Sequence, residues 1–479
     1  MKVILINPVS MLIEKSEKIR NFLKPIPPLG LAYIASVLEK GGIEVVIIDQ
    51  FAEKMDNDAL VKAVILHRPD VVAFSCLTPT IKNTLFIIEK IKALKPETRI
   101  VLGNIHPTLF SKDLLESGLV DAVVRGEGEY SMLELMVAFR EGRNLEEVKG
   151  VSFIKGNKVY HNPDREPVKD LDTLPYPAWH LLDLAKYDYC PLVGLNRTKF
   201  LPILASRGCP YQCVFCAQEK IHKKIRYRKT KDIVDEIENM HNSYGISCFA
   251  FNDPFFPFSI QQGLEFCDEI FSRGLEKKIK WIAESRVDKV NLELLKKMKR
   301  AGAYLIMYGF EVGTQKILDT LKKDSTLEQS LQAMEFTKKA GLYTLGLFML
   351  GAPGETKEDC EETIRFSKKL DCTIAKFNIV VPYPGTALFD KCKTEFDLEN
   401  SERFMSWLDW SPQVNYNDMI YVSDTMDARE LVGLQRKAMF QFYFRPRSIV
   451  RHIKLTPFRD LCVGGWLLVK QQFKSLNGR

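Results

Sequence analysis

The sequence predicts an α/β protein in which a doubly wound parallel sheet is followed by a six-stranded partial barrel and a mostly helical carboxyl-terminal segment. Two observations carry this prediction. Short β-branched runs alternate with amphipathic helical patterns over residues 1–140, and the alternation recurs over 196–390. Such alternation is typical of parallel strands covered by helices. Residues 141–195 form a predicted connector between the two units, and 391–479 form the helical segment.

Composition indicates a globular protein with more than one core. The chain has 479 residues, of which 46% are hydrophobic and 27% are charged, which is too long for one ordinary domain. The net charge of +7 comes from 68 basic and 61 acidic residues without a long run of one sign, so we expect no nucleic-acid partner. Eleven cysteines lie mostly in apolar runs, which is typical of reduced thiols and predicts a cytoplasmic protein.

Membrane segments are not expected. The first apolar run breaks at Pro8 and is much shorter than that of a signal peptide. No window approaches the roughly 18 uninterrupted apolar residues that a spanning helix requires.

The first unit contains five predicted strands, at 3–6, 45–48, 71–75, 100–103 and 122–125, and predicted helices at 29–39, 58–67 and 81–94. Ligands of such sheets bind at the carboxyl ends of the strands. The candidates at those ends are Asn7, Pro8, Ser75, Leu77, Thr78, Gly103, His106 and the turn 125–129.

The second unit contains six predicted strands, at 201–205, 248–252, 280–284, 305–311, 344–350 and 376–381. Six strand and helix units favour an open partial barrel, with function again at the carboxyl ends of the strands. In the connector, residues 151–160 predict a hairpin that turns at Gly156 and Asn157.

Three cysteines, Cys209, Cys213 and Cys216, lie within eight residues directly after the first predicted barrel strand. Clustered thiolates bind soft metals, and three of them in a tight loop suit one face of an iron-sulfur cube better than a tetrahedral zinc ion. The motif therefore predicts a metal centre at a strand end.

Three other interpretations of the cysteines stay open at this point. A zinc knuckle would need a fourth ligand, for which His222 is the nearest candidate. An electron carrier of the ferredoxin kind would take a fourth thiolate from Cys190 or Cys248. Three free thiols are the remaining alternative.

The spacing Cys-x3-Cys-x2-Cys, with the aromatic Phe215 before the last cysteine, resembles the signature of radical S-adenosylmethionine enzymes. The resemblance implies a (β/α)6 partial TIM barrel and a 4Fe-4S cluster held by the three cysteines. It also implies that the fourth iron of the cluster chelates S-adenosylmethionine and that Phe215 belongs to the binding site of this ligand.

Polar residues at the following strand ends fit the same resemblance. It implies that Asp253 accepts hydrogen bonds from the α-amino group of S-adenosylmethionine and that Glu311 binds the ribose hydroxyls. Arg286 offers a two-pronged donor for the α-carboxylate, and Gly351 permits close approach of the backbone to the adenine. Taken singly, each charged residue is as often a salt-bridge partner.

Four pieces of the first unit, residues 27–31, 48–49, 103–107 and 125–129, occur in an order that resembles the cobalamin-binding domain fused to one large branch of these enzymes. The resemblance implies a Rossmann-like cobalamin-binding domain. The implied contacts are Pro8, Leu29, Gly30, Ser75, Leu77, Thr78, Gly103, His106, Gly126, Glu127 and Gly128.

A lower axial histidine is absent from the loop after the first strand, residues 7–11. The resemblance then implies cobalamin without a protein nitrogen on its lower face, so we do not assign His106 as an axial ligand. The alternatives are a degenerate unit without a ligand and an NAD site. The NAD site would require a Gly-x-Gly-x-x-Gly sequence after a strand, and the first strand lacks it.

The carboxyl-terminal segment is rich in aromatic residues, with Phe404, Trp407, Trp410, Tyr416 and Tyr421 before a helical run at 428–444. An aromatic lid would suit a bulky apolar substrate. The apolar stretch 461–469, beside Lys470 and Lys474, is compatible with weak peripheral membrane contact, although we favour a tail helix over the barrel mouth. Residues 442–446 resemble the tail of radical enzymes that modify tetrapyrroles, hopanoids and other lipids.

Together the resemblances imply a cobalamin-dependent enzyme that cleaves S-adenosylmethionine reductively to a 5'-deoxyadenosyl radical. They favour methylation of an unactivated carbon in a small-molecule or lipid substrate, with reduced ferredoxin or flavodoxin as the electron donor. No catalytic acid or base is assigned, and Tyr383, Glu284 and His222 are the candidates.

Other functions remain as alternatives. One is a cyclase or rearrangement enzyme that transfers no methyl group. A cluster or cobalamin redox sensor belongs to a different class, but it would not need the three charged residues at the strand ends. A methylthiotransferase would resemble proteins with three cysteines in the first domain, whereas residues 1–140 contain only Cys76.

Overall fold

The computed structural model describes residues 1–17, 20, 23–187, 198–218, 224–394 and 421–455. The interpretations made above for Cys190, His222, the aromatic residues at 404–416 and the stretch 461–474 lie outside these described residues.

The first sheet has seven strands in the order β2-β1-β3-β4-β5-β6-β7. Strands β1 to β5 are parallel, and β6 and β7 are added antiparallel at one edge. The strands are β1 Lys2–Asn7, β2 Glu44–Asp49, β3 Val71–Ser75, β4 Arg99–Gly103, β5 Ala122–Val124, β6 Val151–Lys155 and β7 Lys158–His161. The doubly wound sheet is confirmed. The hairpin predicted in the connector forms as expected, but it extends this sheet.

The helices of the first part are α1 Met11–Lys15, α2 Leu29–Lys40, α3 Asn57–His67, α4 Ile81–Leu94, α5 Ile105–Leu109, α6 Ser111–Glu116 and α7 Gly128–Glu141. Helix α3 begins where the Asp56 side chain accepts a hydrogen bond from the amide of Ala59 at 2.8 Å, which satisfies one free amide of the first turn. Apolar faces of these helices cover both sides of the sheet. Strand order reverses between β1 and β3, which is where open α/β sheets bind ligands.

The second sheet is parallel, and its six strands are neighbours in chain order. They are β8 Phe200–Ile203, β11 Cys248–Phe251, β12 Lys280–Ser285, β13 Ala303–Glu311, β14 Tyr343–Leu350 and β15 Ile374–Ile379. Between β8 and β11, β9 Ser206–Arg207 and β10 Arg226–Tyr227 form a short antiparallel pair. The helices are α8 Thr230–Tyr244, α9 Ile260–Ser272, α10 Leu292–Arg300, α11 Gln315–Thr320, α12 Leu327–Lys339, α13 Lys357–Leu370 and α14 Ala387–Cys392. The predicted six-stranded partial barrel is confirmed.

Two further helices, α15 Ala428–Tyr443 and α16 Pro446–Leu455, follow the barrel. Helix α15 packs on the edge strand β15. Gln435 donates to the carbonyl of Phe377 at 2.8 Å, and the Tyr443 hydroxyl bonds both backbone groups of Ala375. These contacts satisfy backbone groups that an edge strand otherwise exposes.

Short 3₁₀ turns connect the larger elements, at Thr78–Thr80, Leu145–Glu147, Leu171–Thr173, Trp179–Leu181, Leu184–Lys186 and Val287–Lys289. Within the described ranges, no helix combines the length and the apolar character needed to cross a membrane.

Candidate functional site

The segment that carries the three cysteines, which we call the cysteine loop, connects β9 to β10. Gly208 stands at its start with a φ of +90°, and a Cβ atom there would lie 2.6 Å from the carbonyl oxygen of Lys224. Only glycine tolerates both conditions. Further along, the amide of Val214 donates to Leu321 at 3.1 Å, and its carbonyl accepts from Leu388 at 2.9 Å. The loop is therefore fixed at its base and in its middle.

The three thiols in this loop fit a cluster better than a single ion. A structural zinc ion would need a fourth closed ligand beside the three thiols. In an iron-sulfur cube each thiolate binds a different iron, so the sulfurs need not converge on one point. Desolvation raises the pKa of Cys209, Cys213 and Cys216, and metal binding would displace their protons.

Phe215 packs between the loop and the segment that follows β13. It contacts the apolar cluster that contains Ile317 and Leu321, and the ammonium of Lys323 lies 5.9 Å from its ring centroid. Phe215 thus lies beside the charged residues at the barrel mouth. Its assignment to S-adenosylmethionine stays a prediction.

Asp253 is buried at the end of β11 and holds the start of the cysteine loop. Its carboxylate accepts the amide of Ala205 at 3.0 Å and the hydroxyl of Ser206 at 2.5 Å. Burial raises its pKa to about 7. The α-amino group of S-adenosylmethionine would share the Asp253 carboxylate with these two donors. Asp253 therefore has a structural role in addition to its predicted role in binding the ligand.

Arg286 is held by the loop on one side and by a turn on the other. Its guanidinium lies 3.3 Å from the ring centroid of Tyr211, which follows Cys209 by two residues. Its Nε donates to Asp288 at 2.8 Å, and Nη2 donates to the carbonyls of Lys323 and Asp324. To make the predicted two-pronged contact with the α-carboxylate of S-adenosylmethionine, Arg286 would have to exchange one of these hydrogen bonds.

Glu311 ends β13 in a strained conformation. Its φ is +63°, and the register of β13 against β14 shifts between Gly309 and Glu311. Such a bulge re-aims a side chain, and a non-glycine residue in this region often marks a functional site. The carboxylate of Glu311 meets Lys323 Nζ at 2.6 Å, and both side chains are largely buried.

Lys323 is a residue that the sequence reasoning missed. Its ammonium lies between Glu311 and the loop, and both Glu311 and Cys213 act to raise its pKa against the effect of burial. Nearby Glu284, one of the acid or base candidates, has a pKa raised to about 7 by burial. In the sequence, the available signal was a pair of adjacent lysines, Lys322 and Lys323. In the structure they lie in a turn in which Lys322 and Asp324 both have positive φ.

Gly351 is required by packing as well as by its turn. Its φ is +83°, and a Cβ atom would lie 2.6 Å from Leu431 of α15. The amides of Gly351 and Ala352 both donate to Glu355. The turn is thus fixed against the carboxyl-terminal helix, and its predicted contact with adenine stays untested.

A cavity of about 290 Å³ lies at the carboxyl ends of the first sheet. Residues of the second sheet and its loop also line it, among them Gly208, Asn252 and Pro254. The cavity therefore joins the end of the first sheet to the base of the cysteine loop. The predicted cobalamin contacts that line it are Leu29, Gly30, Ser75, Gly103, Gly126, Glu127 and Gly128.

The cavity wall has the open backbone that a large planar cofactor needs. A Cβ atom added at Gly30 or at Gly126 would meet no atom within 4 Å. Strands β1, β3 and β4 add mainly apolar side chains, and the charged residues Glu127, Glu129 and Arg207 also line the cavity. This arrangement fits cobalamin, for which the sequence implies no nitrogen ligand.

Four predicted cobalamin contacts, Pro8, Leu77, Thr78 and His106, lie outside the lining of this cavity. The Leu77 side chain is exposed. His106 is buried, with its Nδ1 3.2 Å from the hydroxyl of Thr78 and its ring 4.8 Å from that of Phe110. Burial lowers its pKa to about 3. His106 thus packs between the turn after β3 and Phe110, and its predicted contact with cobalamin stays a prediction.

Comparison with known proteins places both halves in established families. The profile of the B12 binding domain matches residues 19–136, and that of the Radical SAM superfamily matches 203–367. An uncharacterized methyltransferase of Pyrococcus horikoshii is 33% identical over 430 residues, which cover 89% of this chain and 90% of that protein. The anaerobic magnesium-protoporphyrin IX monomethyl ester cyclase of Cereibacter sphaeroides is 31% identical over 385 residues, or 79% of this chain and 62% of the cyclase.

A solved structure shares the fold. It is the radical S-adenosylmethionine methyltransferase TsrM of Kitasatospora setae with cobalamin and a [4Fe-4S] cluster bound. The TM-score is 0.67 at 20% identity, over 82% of this chain and 75% of that one. The chain belongs to the radical S-adenosylmethionine enzymes that carry a cobalamin-binding domain, and its cofactors are a 4Fe-4S cluster, S-adenosylmethionine and cobalamin.

Proposed function

We propose that this enzyme methylates an unactivated carbon of a small-molecule or lipid substrate. The observation that carries the proposal is the cavity between the two sheets, which Gly30 and Gly126 line from one side and Gly208 and Asn252 line from the other. A methyl donor in this cavity would lie beside the mouth of the barrel, where the radical would form. The names of the Pyrococcus and Kitasatospora proteins support methyl transfer.

The residues of the cysteine loop would hold the cluster through Cys209, Cys213 and Cys216. When bound, the cluster supplies the electron that cleaves S-adenosylmethionine to methionine and a 5'-deoxyadenosyl radical, and cobalamin supplies the methyl group. The protein positions these groups and excludes water. Water is excluded in part because one side of the loop is closed by the hydrogen bond between Val214 and Leu321 and by the packing of Phe215.

Fixed charges at the barrel mouth would orient S-adenosylmethionine. Lys323 holds Glu311 at 2.6 Å, so this carboxylate keeps its direction without a ligand. Arg286 is held flat against Tyr211. Preorganised charges cost little reorganisation when a zwitterionic ligand arrives. We include Lys323 with Phe215, Asp253, Arg286, Glu311 and Gly351 in the proposed site.

Ring formation without methyl transfer is the second candidate. The Cereibacter cyclase supports it, because 385 aligned residues are 31% identical. The chain spans 62% of the length of that cyclase, so part of the cyclase has no counterpart in the alignment. The cavity between the sheets is compatible with either outcome, and the products distinguish them.

We also propose reduced ferredoxin or flavodoxin as the electron donor and the cytoplasm as the compartment. The support is chemical: none of the nine cysteines within the described ranges forms a disulfide, and reduced thiols persist in a reducing compartment.

The test is an anaerobic assay of the reconstituted enzyme with hydroxocobalamin, reductant, S-adenosylmethionine and an extract of host metabolites. Mass spectrometry would follow 5'-deoxyadenosine and S-adenosylhomocysteine. We expect both products from the wild-type chain and neither from Cys213→Ala, whereas Cys267→Ala, a buried thiol in α9, should retain both. Deoxyadenosine alone would support the cyclase, and formation of neither product by a fully loaded wild-type enzyme would contradict both candidates.

A further inference from the structure

The turn that follows β5 makes an ionic contact with the base of the cysteine loop. Glu127 and Glu129 belong to this turn and to the start of α7, while Arg207 and Arg226 belong to β9 and β10. We call these four residues the clamp. Its acidic half comes from the first sheet and its basic half from the strand pair that frames the cysteines.

The contacts of the clamp are short and directional. Arg226 grips both carboxylate oxygens of Glu127, at 2.5 and 3.0 Å, and also donates to the carbonyl of Val168 at 2.7 Å. Arg207 donates to Glu129 at 2.5 Å, and its other terminal nitrogen lies 3.5 Å from Glu127. A two-oxygen grip fixes the orientation of both partners as well as their distance.

The clamp is removed from solvent. Each of its four side chains is less than one-tenth exposed, and Arg207 lies over the ring of Tyr33 at 5.6 Å. Loss of one partner would leave a buried charge uncompensated, which is far more costly than loss of a surface pair. The second oxygen of Glu129 has no hydrogen-bond partner in the described part of the chain, so Glu129 depends on Arg207 for its neutralisation.

The clamp also acts at the positions that define the loop. Arg207 precedes Cys209 by two residues and pairs in register with Arg226 across the β9–β10 strands. Between them, Gly208 lets the two ends of the loop come into contact. The acidic half of the clamp thus holds both ends of the segment that carries the cysteines.

We propose that Glu127 and Glu129 are positioning residues for the iron-sulfur cluster, through Arg226 and Arg207. The resemblance assigned the turn 125–129 to cobalamin. In the structure, residues of this turn have different roles. Both carboxylate oxygens of Glu127 accept hydrogen bonds from Arg226, and one also accepts the amide of Val168. Gly126 instead adds open backbone to the cavity. The first sheet therefore contributes to cluster retention as well as to cobalamin binding. The proposal rests on the three cysteines as cluster ligands.

The test uses the full chain, reconstituted with iron and sulfide and loaded with hydroxocobalamin. Glu127→Gln keeps the shape of the side chain and removes its charge. Glu134→Gln is the matched control, because Glu134 lies in α7, which begins directly after Glu127, and pairs with Arg165 at the surface. The measurements are the rate of iron release to a ferrous chelator, the electron paramagnetic resonance spectrum of the reduced cluster, cobalamin affinity by absorbance, and thermal unfolding.

We expect Glu127→Gln to release iron about tenfold faster than wild type, as loss of a buried pair predicts, and to show a changed cluster spectrum. Because Glu127 also lines the cavity, we expect the loss of iron to exceed any loss of cobalamin affinity. The control should match wild type in all four measurements. A folded Glu127→Gln protein with wild-type iron release and spectrum would overturn the proposal, and so would a loss confined to cobalamin affinity.

If Glu127→Gln does not fold, Arg226→Lys provides the same test, since lysine keeps the charge but cannot grip two oxygens. Faster iron release from Arg226→Lys would support the clamp, and wild-type release would overturn it. Cys213→Ala separates this proposal from the one on which it rests. If that variant retained a full cluster, the assignment of the ligands would be wrong, whatever the behaviour of the clamp.

Discussion

The carboxyl ends of the two sheets differ in the way they can hold a ligand. At the first sheet the cavity combines open space at Gly30 and Gly126 with apolar side chains, and the charged residues in its lining, Glu127, Glu129 and Arg207, belong to the clamp. At the second sheet Asp253, Arg286 and Glu311 are all ionisable and all bonded to neighbouring groups. The first end offers a ligand shape and open backbone, whereas the second offers fixed polar groups.

This difference suits the ligands that we propose for the two ends. A large cofactor gains most of its binding energy from buried area, so its site needs space more than charge. A small zwitterion has little area to bury, and it is recognised through charge-assisted hydrogen bonds. Changes at one end should therefore affect one ligand and leave the other unchanged.

The largest effect is expected at the charged end. Lys323→Met leaves Glu311 buried without its cation and close to Glu284, so S-adenosylmethionine affinity should fall about 100-fold, in the range for loss of one partner of a buried pair. Cobalamin affinity should not change. Isothermal titration of the anaerobic, cluster-loaded protein measures the first affinity and absorbance measures the second.

The control is Lys322→Met, which changes the exposed neighbour of Lys323 in the same turn. Its affinities should equal those of wild type. Equal loss in both lysine variants would show that the turn matters and the Glu311 contact does not.

A smaller effect is expected at the carboxyl end of the first sheet. Gly30→Phe places a ring where a Cβ atom now meets nothing within 4 Å, so cobalamin affinity should fall about tenfold by steric exclusion from the cavity. S-adenosylmethionine affinity should stay at the wild-type value. Gly30→Ala adds one methyl group to open space and should bind cobalamin normally. Unchanged cobalamin binding by the Gly30→Phe protein would place the cofactor elsewhere.

The last expected effect is on stability rather than on ligand affinity, and it concerns Glu355, which holds the turn after β14. Burial raises its pKa to about 7 from 4.5. The folded state therefore binds this proton more tightly than the unfolded state, so its contribution to stability falls as the pH rises from about 4.5 to about 7 and then stays constant. Glu355→Gln removes this dependence and still accepts hydrogen bonds from Gly351 and Ala352. At pH 8 we expect the variant to be more stable by about 2 kcal/mol.

Thermal unfolding of both proteins between pH 5 and pH 8 measures this difference. The stability advantage of the glutamine variant should shrink as the pH falls, because the wild-type carboxyl becomes protonated. A constant difference across this range would show that Glu355 is already ionised in the folded protein.

Much of the fold could be predicted from the sequence because hydrophobic periodicity determines it. The five parallel strands of the first sheet and the six of the second occur where the β-branched runs predict them. The hairpin at β6 and β7 was predicted as a local element, but its place at the edge of the first sheet depends on pairing between β5 and β6. Pairing of distant strands leaves no local signal.

Residue type and strand position singled out Asp253, Arg286 and Glu311, and the structure places all three, buried, at or just after strand ends of the barrel. Their contacts with S-adenosylmethionine stay predictions. Lys323 was missed because only the bulge at Glu311 and the turn after α11 bring it back to the barrel mouth. The clamp was missed because its partners are far apart in sequence. Glu129 and Arg207, for example, are 78 residues apart. Gly351 was singled out for its turn after β14, but a Cβ atom there would meet Leu431 of a helix that no local pattern connects to it.

The most direct test of methyl transfer follows the methyl group itself. The fully loaded enzyme would be given S-adenosylmethionine with a trideuterated methyl group, together with host metabolites and a reductant. We expect a metabolite in which one hydrogen on carbon is replaced by a trideuteriomethyl group. This product should form only when both the cluster and cobalamin are present. Turnover of S-adenosylmethionine with a product that carries no deuterium would contradict it.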